Sequence, residues 1–412
     1  MAERSPPVAE LQNVVTDLGG TDPETRINPN AAEALRAVFA DASLVALGEA
    51  SHGARAQFRV KSRLVRFLVE ELDVRAFALE VDANWARKID RYVVDGEGDV
   101  EDILLSARIS WPWKTAELVN LFEWMRTFNE ERPAEDRLRV YGFDTASFDR
   151  VADTLTEFFD TVDADVDGVR DDVDALADED EDVRVDAAES VIDTLPPLFD
   201  ENEGWKSRCS DRTFTLARRQ PDLLAQTLKF YRADTQDRFA LRDEAMAENA
   251  SWIIDSGGAK RAVLWAHNLH VARLELSGEM SGFFGRTMGD QLAARYGDDY
   301  VSVGLGLGGG EYLAVDAETM EPVSPSVPSP PAKSIPDVFL RLDMTTPFVS
   351  TTALREHKQT DEWLTTTPQR HHINGMVEDG ESLTYVASDL SEFDAFAFVR
   401  TTDPTNHLGV DG

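Results

Sequence analysis

"LVALGEASHGARAQFRVKSRLVRFLVEELDVRAFALEVD", residues 44–82, decides the fold. Its two ends, "LVALG" (44–48) and "AFALEVD" (76–82), are short apolar runs with strand character. Between them Phe58, Val60, Leu64, Val65, Phe67, Leu68 and Leu72 recur at the spacing of one helical face. Strand, helix and strand of these lengths make a right-handed βαβ unit, so the strands lie parallel in a sheet covered by helices. The fold class is therefore α/β. Four further runs of the same kind follow: "LRVYGFD" (138–144), "AVLWAHN" (262–268), "YVSVGLGLG" (300–308) and "AFAFVR" (395–400).

Between residues 150 and 250 the chain is too long for one crossover and reads as a mainly helical insertion. The expected organisation is a first part of the α/β core over 1–150, the insertion over 151–250, and a second part of the core over 251–412. The tract "EPVSPSVPSPPAKSIP" (321–336) reads as an extended surface loop.

Composition narrows the partners. Against 77 Asp and Glu stand 41 Lys and Arg, a net charge of −36. Nucleic acids and anionic membranes both require a basic face, so neither is expected as a partner. An acid-coated, lysine-poor surface suits a protein kept soluble in concentrated salt, which screens its self-repulsion. No run reaches transmembrane length and the first residues lack a signal-peptide core, so a cytoplasmic location is expected. The single cysteine, Cys209, excludes an internal disulfide and reads as a free thiol.

In an open parallel sheet, ligands bind beyond the carboxyl ends of the strands. Those ends are chemically loaded here. The first run leads to Glu49 and His52, the second to Glu80 and Asp82, the third to Asp144, and the fourth to His267, Asn268 and His270. Three of the chain's seven histidines fall at these ends. Each residue alone could be a helix cap or a turn former; four loaded ends together point to one cleft. A histidine there can take a proton from water, with a carboxylate fixing its tautomer. A second can donate a proton or stabilise an oxyanion. Ser51 lacks a nucleophile-elbow context and is not expected to attack.

These residues resemble the erythromycin esterase family. The matching segments, in order, are "GEASHG" (48–53), "ALEVD" (78–82), "RYVVDG" (91–96), "WPWKTAELVNLFEWMRTFN" (111–129), "YGFD" (141–144), "RDEAMAEN" (242–249) and "WAHNLHV" (265–271). The resemblance implies a three-layer α/β/α fold with a mainly parallel sheet and a large helical insertion. It also implies hydrolysis of a small-molecule carboxylic ester or lactone, with a response to antibiotic as the namesake role. His52 would be the general base toward water, supported by Glu49, Glu80, His267 and His270. Lys61 is the nearest match to a basic residue that contributes from the following helix. Lys61, Asp144 and Arg242 are expected to bind substrate together with Trp111 and Trp113, although these tryptophans and Trp124 could equally pack the core.

No cofactor or metal is expected. Two alternatives stay open. One is a metal-dependent hydrolase using His52, His267, His270 and a carboxylate; the other is a protein whose histidines hold a haem-like ligand without turnover. Three weaker signals are set aside. "DADVDGVRDDVD" (163–174) imitates a calcium loop but has Asp174 where glutamate belongs. "GLGLGGGEY" (304–312) is followed by a strand pattern rather than the helix a dinucleotide loop needs. His371 and His372 fall in what reads as an exposed polar loop.

Overall fold

The computed structural model describes residues 8–106, 111–277, 284–364, 369–378, 381–387 and 390–409. Fourteen strands run along the described chain. They are β1 (Thr16–Asp17), β2 (Leu44–Leu47), β3 (Ala76–Asp82), β4 (Arg139–Asp144), β5 (Ala262–Trp265), β6 (Glu275–Ser277), β7 (Phe284–Arg286), β8 (Tyr300–Leu307), β9 (Ala314–Asp316), β10 (Pro322–Val323), β11 (Pro347–Ser350), β12 (Gln369–Glu378), β13 (Glu381–Ala387) and β14 (Ala395–Val399). All six apolar runs singled out in the sequence are strands of one sheet.

That sheet has eight strands in the order β1-β11-β14-β8-β2-β5-β3-β4. From β14 to β4 every neighbouring pair is parallel, whereas β11 pairs antiparallel with both β14 and β1. The helix Arg55–Glu71 joins β2 to β3, as its apolar face predicts. The chain then adds β4, returns to insert β5 between β2 and β3, and crosses to β8 on the other side of β2. The carboxyl ends of β2, β5, β3 and β4 thereby become neighbours.

Strand residues alternate between two apolar cores. Val45, Leu47, Phe77, Leu79 and Trp265 enter one, with Phe58, Leu64 and Leu68 of the connecting helix. Leu44, Ala46, Ala76, Ala78 and Leu264 enter the other, with Met246, Ala250 and Ile253 of the helix Thr235–Asp255. Both faces of the sheet are thus covered, which is why β2, β3 and β5 read as continuous apolar runs.

Between β4 and the helix Thr235–Asp255 lie five α-helices: Phe148–Thr161, Asp167–Ala175, Glu181–Glu201, Asp211–Arg218 and Gln220–Arg232. They enclose a third core built around Phe158, Phe159, Phe199 and Trp205. The calcium-loop imitation is excluded as a loop, because from Asp167 onward it winds into a helix. Most of 321–336 is irregular, but Pro322–Val323 is a short strand and Ile335 opens a helix. The reading of His371 and His372 as loop residues is corrected: both lie in β12, paired with Tyr385 and Thr384 of β13 in a second sheet ordered β10-β9-β12-β13. Polar residues outnumber apolar ones there, so the period-two signal of a half-buried strand is missing. No described helix is long and apolar enough to cross a membrane.

Candidate active site

His52 stands on the loop between β2 and the helix Arg55–Glu71. Its Nδ1–H donates to Glu49 Oε1 at 2.6 Å, which leaves the lone pair on Nε2. The other carboxylate oxygen of Glu49 accepts from Lys61 Nζ at 2.7 Å. Glu49 and Lys61 are fully buried, while the His52 side chain keeps 18 % of its surface open. Lys61 also donates to the Ala266 carbonyl and lies over the Trp265 ring. Burial drives its ammonium pKa down to about 8 against the pull of Glu49. The expectation that Lys61 touches substrate is therefore corrected: it sits behind Glu49, out of reach of solvent, and acts on that carboxylate.

The loop is held from three sides. Gln57 Oε1 accepts from the N–H groups of Ala50 and Ser51. Gly53 passes so close to the Leu313 backbone that a Cβ would lie 1.8 Å from its carbonyl oxygen, so only glycine fits. The segment 402–408 then straps the loop from outside. Arg55 N–H donates to the Asp403 carbonyl, Thr405 N–H to the Gly53 carbonyl, and Ala56 N–H to Thr402 Oγ1. Farther along, Ala116 N–H donates to Asn406 and Leu408 N–H to Lys114, just after Trp113. One strap thus ties down both His52 and the Trp111–Trp113 turn. Trp113 is buried, its ring edge-on to His52 with centroids 5.3 Å apart.

The ends of β3, β4 and β5 supply a second network. Arg242, on the helix Thr235–Asp255, donates through Nε and Nη2 to the two carboxylate oxygens of Asp144 at 2.9 and 2.7 Å. Its Nη2 also reaches Glu80 Oε1 at 2.8 Å. Burial would raise the Glu80 pKa, but the charges of His270, Arg242 and His52 outweigh it and hold the carboxyl far below the usual range. His270 donates from Nδ1 to Asp243 Oδ1 at 2.7 Å, and Nε2 lies 3.4 Å from Glu80 Oε1. Burial lowers its pKa, while Asp243 and Glu80 more than compensate, so the net shift is upward. Asp243 is itself pinned by the Met288 N–H at 2.7 Å.

His267 is placed differently. Its ring centroid is 5.3 Å from that of His52, and its N–H donates to Glu80 Oε2. Yet its Nε2–H donates to the Ala50 carbonyl and its Nδ1 accepts from Leu269 N–H, so both nitrogens are engaged. Two strand-end residues prove structural. Asp82 caps the helix Ala83–Asp95 through the N–H groups of Asn84 and Trp85. Asn268 bonds both backbone groups of Leu305.

Glu80, Trp113 and Asp144 line a cleft of about 370 Å3 beyond the strand ends. Trp111 stands half-exposed outside that lining, and Trp124 packs at the edge of the first core under Arg66. Sequence reasoning missed Asp243, Gln57, Trp265 and the strap. Asp243 and Trp265 left a trace, one adjoining Arg242 and the other opening "WAHNLHV", both within matched segments. Among the described residues, no group of three or more His, Cys, Asp and Glu side chains is arranged to hold a metal ion.

The family profile described as erythromycin esterase matches residues 69–402. That span includes Glu80, Asp144, Arg242, His267 and His270 and begins after Glu49, His52 and Lys61. An Escherichia coli protein named erythromycin esterase type II is 23% identical over 307 residues, 66% of this chain and 70% of its own length. In fold, the chain is similar to a crystal structure of a Bacillus cereus protein, with TM-score 0.79 at 23% identity over 97% of this chain and 98% of that one. It is also similar to an erythromycin esterase mutant in its open conformation, with TM-score 0.64 at 16% identity over 95% and 98%. With its profile match running through most of the chain, the protein belongs to the erythromycin esterase family.

Proposed function

We propose that the protein is a hydrolase of carboxylic esters or lactones in which His52 activates water. The observation that carries this reading is the buried chain Lys61–Glu49–His52, which leaves one imidazole lone pair on a part-exposed ring beside Trp113 of the cleft wall. Glu49 fixes the tautomer and stabilises the imidazolium that forms when His52 takes a proton. Lys61 holds that carboxylate in its orientation. Beside this chain, Arg242 and His270 supply positive charge that can stabilise a developing oxyanion, while Glu80 and Asp144 hold them in place. His267 serves by shape, holding the Ala50 carbonyl and so the start of the His52 loop.

Family membership supports the hydrolase class, and the separately covered sheet faces support a three-layer α/β/α core. The third apolar core supports a helical insertion between two parts of that α/β core, near 151–250. The −36 charge supports a cytoplasmic setting rich in salt. The test is a panel of lactones and aryl esters assayed in high salt before and after dialysis against a chelator. Turnover that survives dialysis is expected. Activity lost on dialysis and restored by zinc would replace water activation by His52 with metal chemistry.

A further inference from the structure

The catalytic cleft does not end at Asp144. A second cavity of about 490 Å3 adjoins it and shares Thr145, Ala146, Ser147 and Asp149 with it. Its far wall belongs to the helical insertion and carries an aromatic and aliphatic patch. Phe148 packs edge-on against Tyr231 at 5.7 Å, beside Phe230, Leu176 and Ala177. The Thr227 hydroxyl is already spent on the Ala146 and Leu223 carbonyls. Charged groups, Asp178, Glu179 and Arg184 among them, complete the lining.

One polar atom is left over, at the join. Ser147 lines both cavities and stands at the N-cap of the helix Phe148–Thr161, yet its side chain makes no capping bond. Its backbone N–H is taken by Asp82, while its Oγ is buried and has no hydrogen-bond partner among the described residues. A buried hydroxyl without a partner forfeits about 1–3 kcal/mol of desolvation, which a polar atom of a ligand would recover. A groove with an apolar patch and a placed hydroxyl, continuous with the cleft that Glu80, Trp113 and Asp144 line, is how small-molecule sites are built.

We propose that this groove receives the apolar arm of the ester substrate, a bulky aryl or alicyclic group, with Ser147 Oγ bonding a polar atom between that arm and the scissile ester. The assignment rests on the ester-hydrolase reading and adds a substrate class to it: esters with a ring-bearing arm rather than short acetates. Two sets of esters are compared, 4-nitrophenyl acetate against 4-nitrophenyl 4-phenylbutyrate, and methyl acetate against 2-naphthyl acetate, so that the arm sits on either side of the ester. Wild-type, Phe230→Ala and Ser147→Ala proteins are used, with matched circular dichroism spectra. In Phe230→Ala the ratio of kcat/KM for the arm-bearing ester over its short partner falls about tenfold, mostly through KM. Ser147→Ala lowers the same ratio by a smaller factor. Ratios unchanged in both variants overturn the groove. Calorimetric binding of the non-hydrolysable amide, N-(4-nitrophenyl)-4-phenylbutyramide, separates the two readings. Amide binding that weakens in Phe230→Ala without turnover of any ester keeps the groove and removes the hydrolase, whereas ester turnover with no such amide binding removes the groove alone.

Discussion

Two imidazole–carboxylate pairs lie beyond the strand ends, His52 with Glu49 and His270 with Asp243, and their donor distances are 2.6 and 2.7 Å. What lies behind and in front of each pair differs. Behind Glu49 is the Lys61 ammonium, and the Nε2 of His52 keeps its lone pair on a part-exposed ring. Behind Asp243 is the Met288 N–H, and the Nε2 of His270 meets the Glu80 carboxylate and the Arg242 guanidinium. The first arrangement suits a group that takes a proton and gives it back; the second suits one that holds charge in place. Similar hydrogen bonds acquire different roles from the third group in each chain.

The sharpest way to break this contrast is Glu80→Gln, which removes the carboxylate binding Arg242 and His270 while keeping its shape. A kcat loss of about a thousandfold with a smaller change in KM is expected, since the charge matters most in the transition state. An unchanged kcat would make the second network structural. Next comes the strap. Truncation after Thr402 should cut kcat about a hundredfold by freeing the His52 loop, and hydrogen exchange at the Arg55 amide should accelerate while circular dichroism stays unchanged. Unaltered exchange would show that the loop holds itself.

Lys61→Met probes the first pair from behind. Leaving Glu49 buried without its cation costs about 3 kcal/mol of stability, read from denaturant unfolding. A variant as stable as wild type would mean that Lys61 does not matter to Glu49. The smallest effect concerns His270. Its folded pKa is raised, so its contribution to stability is full below the unfolded value of 6.5 and is lost as pH rises through the folded value. The thermal-stability gap between wild type and His270→Gln should therefore narrow as pH rises above 6.5. A gap that widens would reverse the sign assigned to Asp243 and Glu80.

The sheet and the gathering of its strand ends could be read from the chain because parallel strands buried on both faces leave unbroken apolar runs, each ending in a polar residue. Which of those residues act could not. Asp82, Glu80, His267 and His52 look alike as letters beside a strand, but Asp82 caps a helix and His267 spends both nitrogens on backbone groups. Such partners are distant in the chain and carry no periodic signal. The strap bonds Gly53 from Thr405, and nothing in the spacing of either segment announces it. Lys61 illustrates the same limit, since a lysine on a helix normally reaches water and only its packing against Glu49 and Trp265 shows otherwise.

The most direct measurement is the steady-state hydrolysis of one aryl ester by wild-type and His52→Ala proteins in the same high-salt buffer, with unfolding transitions recorded for both. If His52 is the base that deprotonates water, the variant keeps its fold and loses turnover by about a thousandfold or more. A folded His52→Ala protein that hydrolyses the ester at close to the wild-type rate contradicts it.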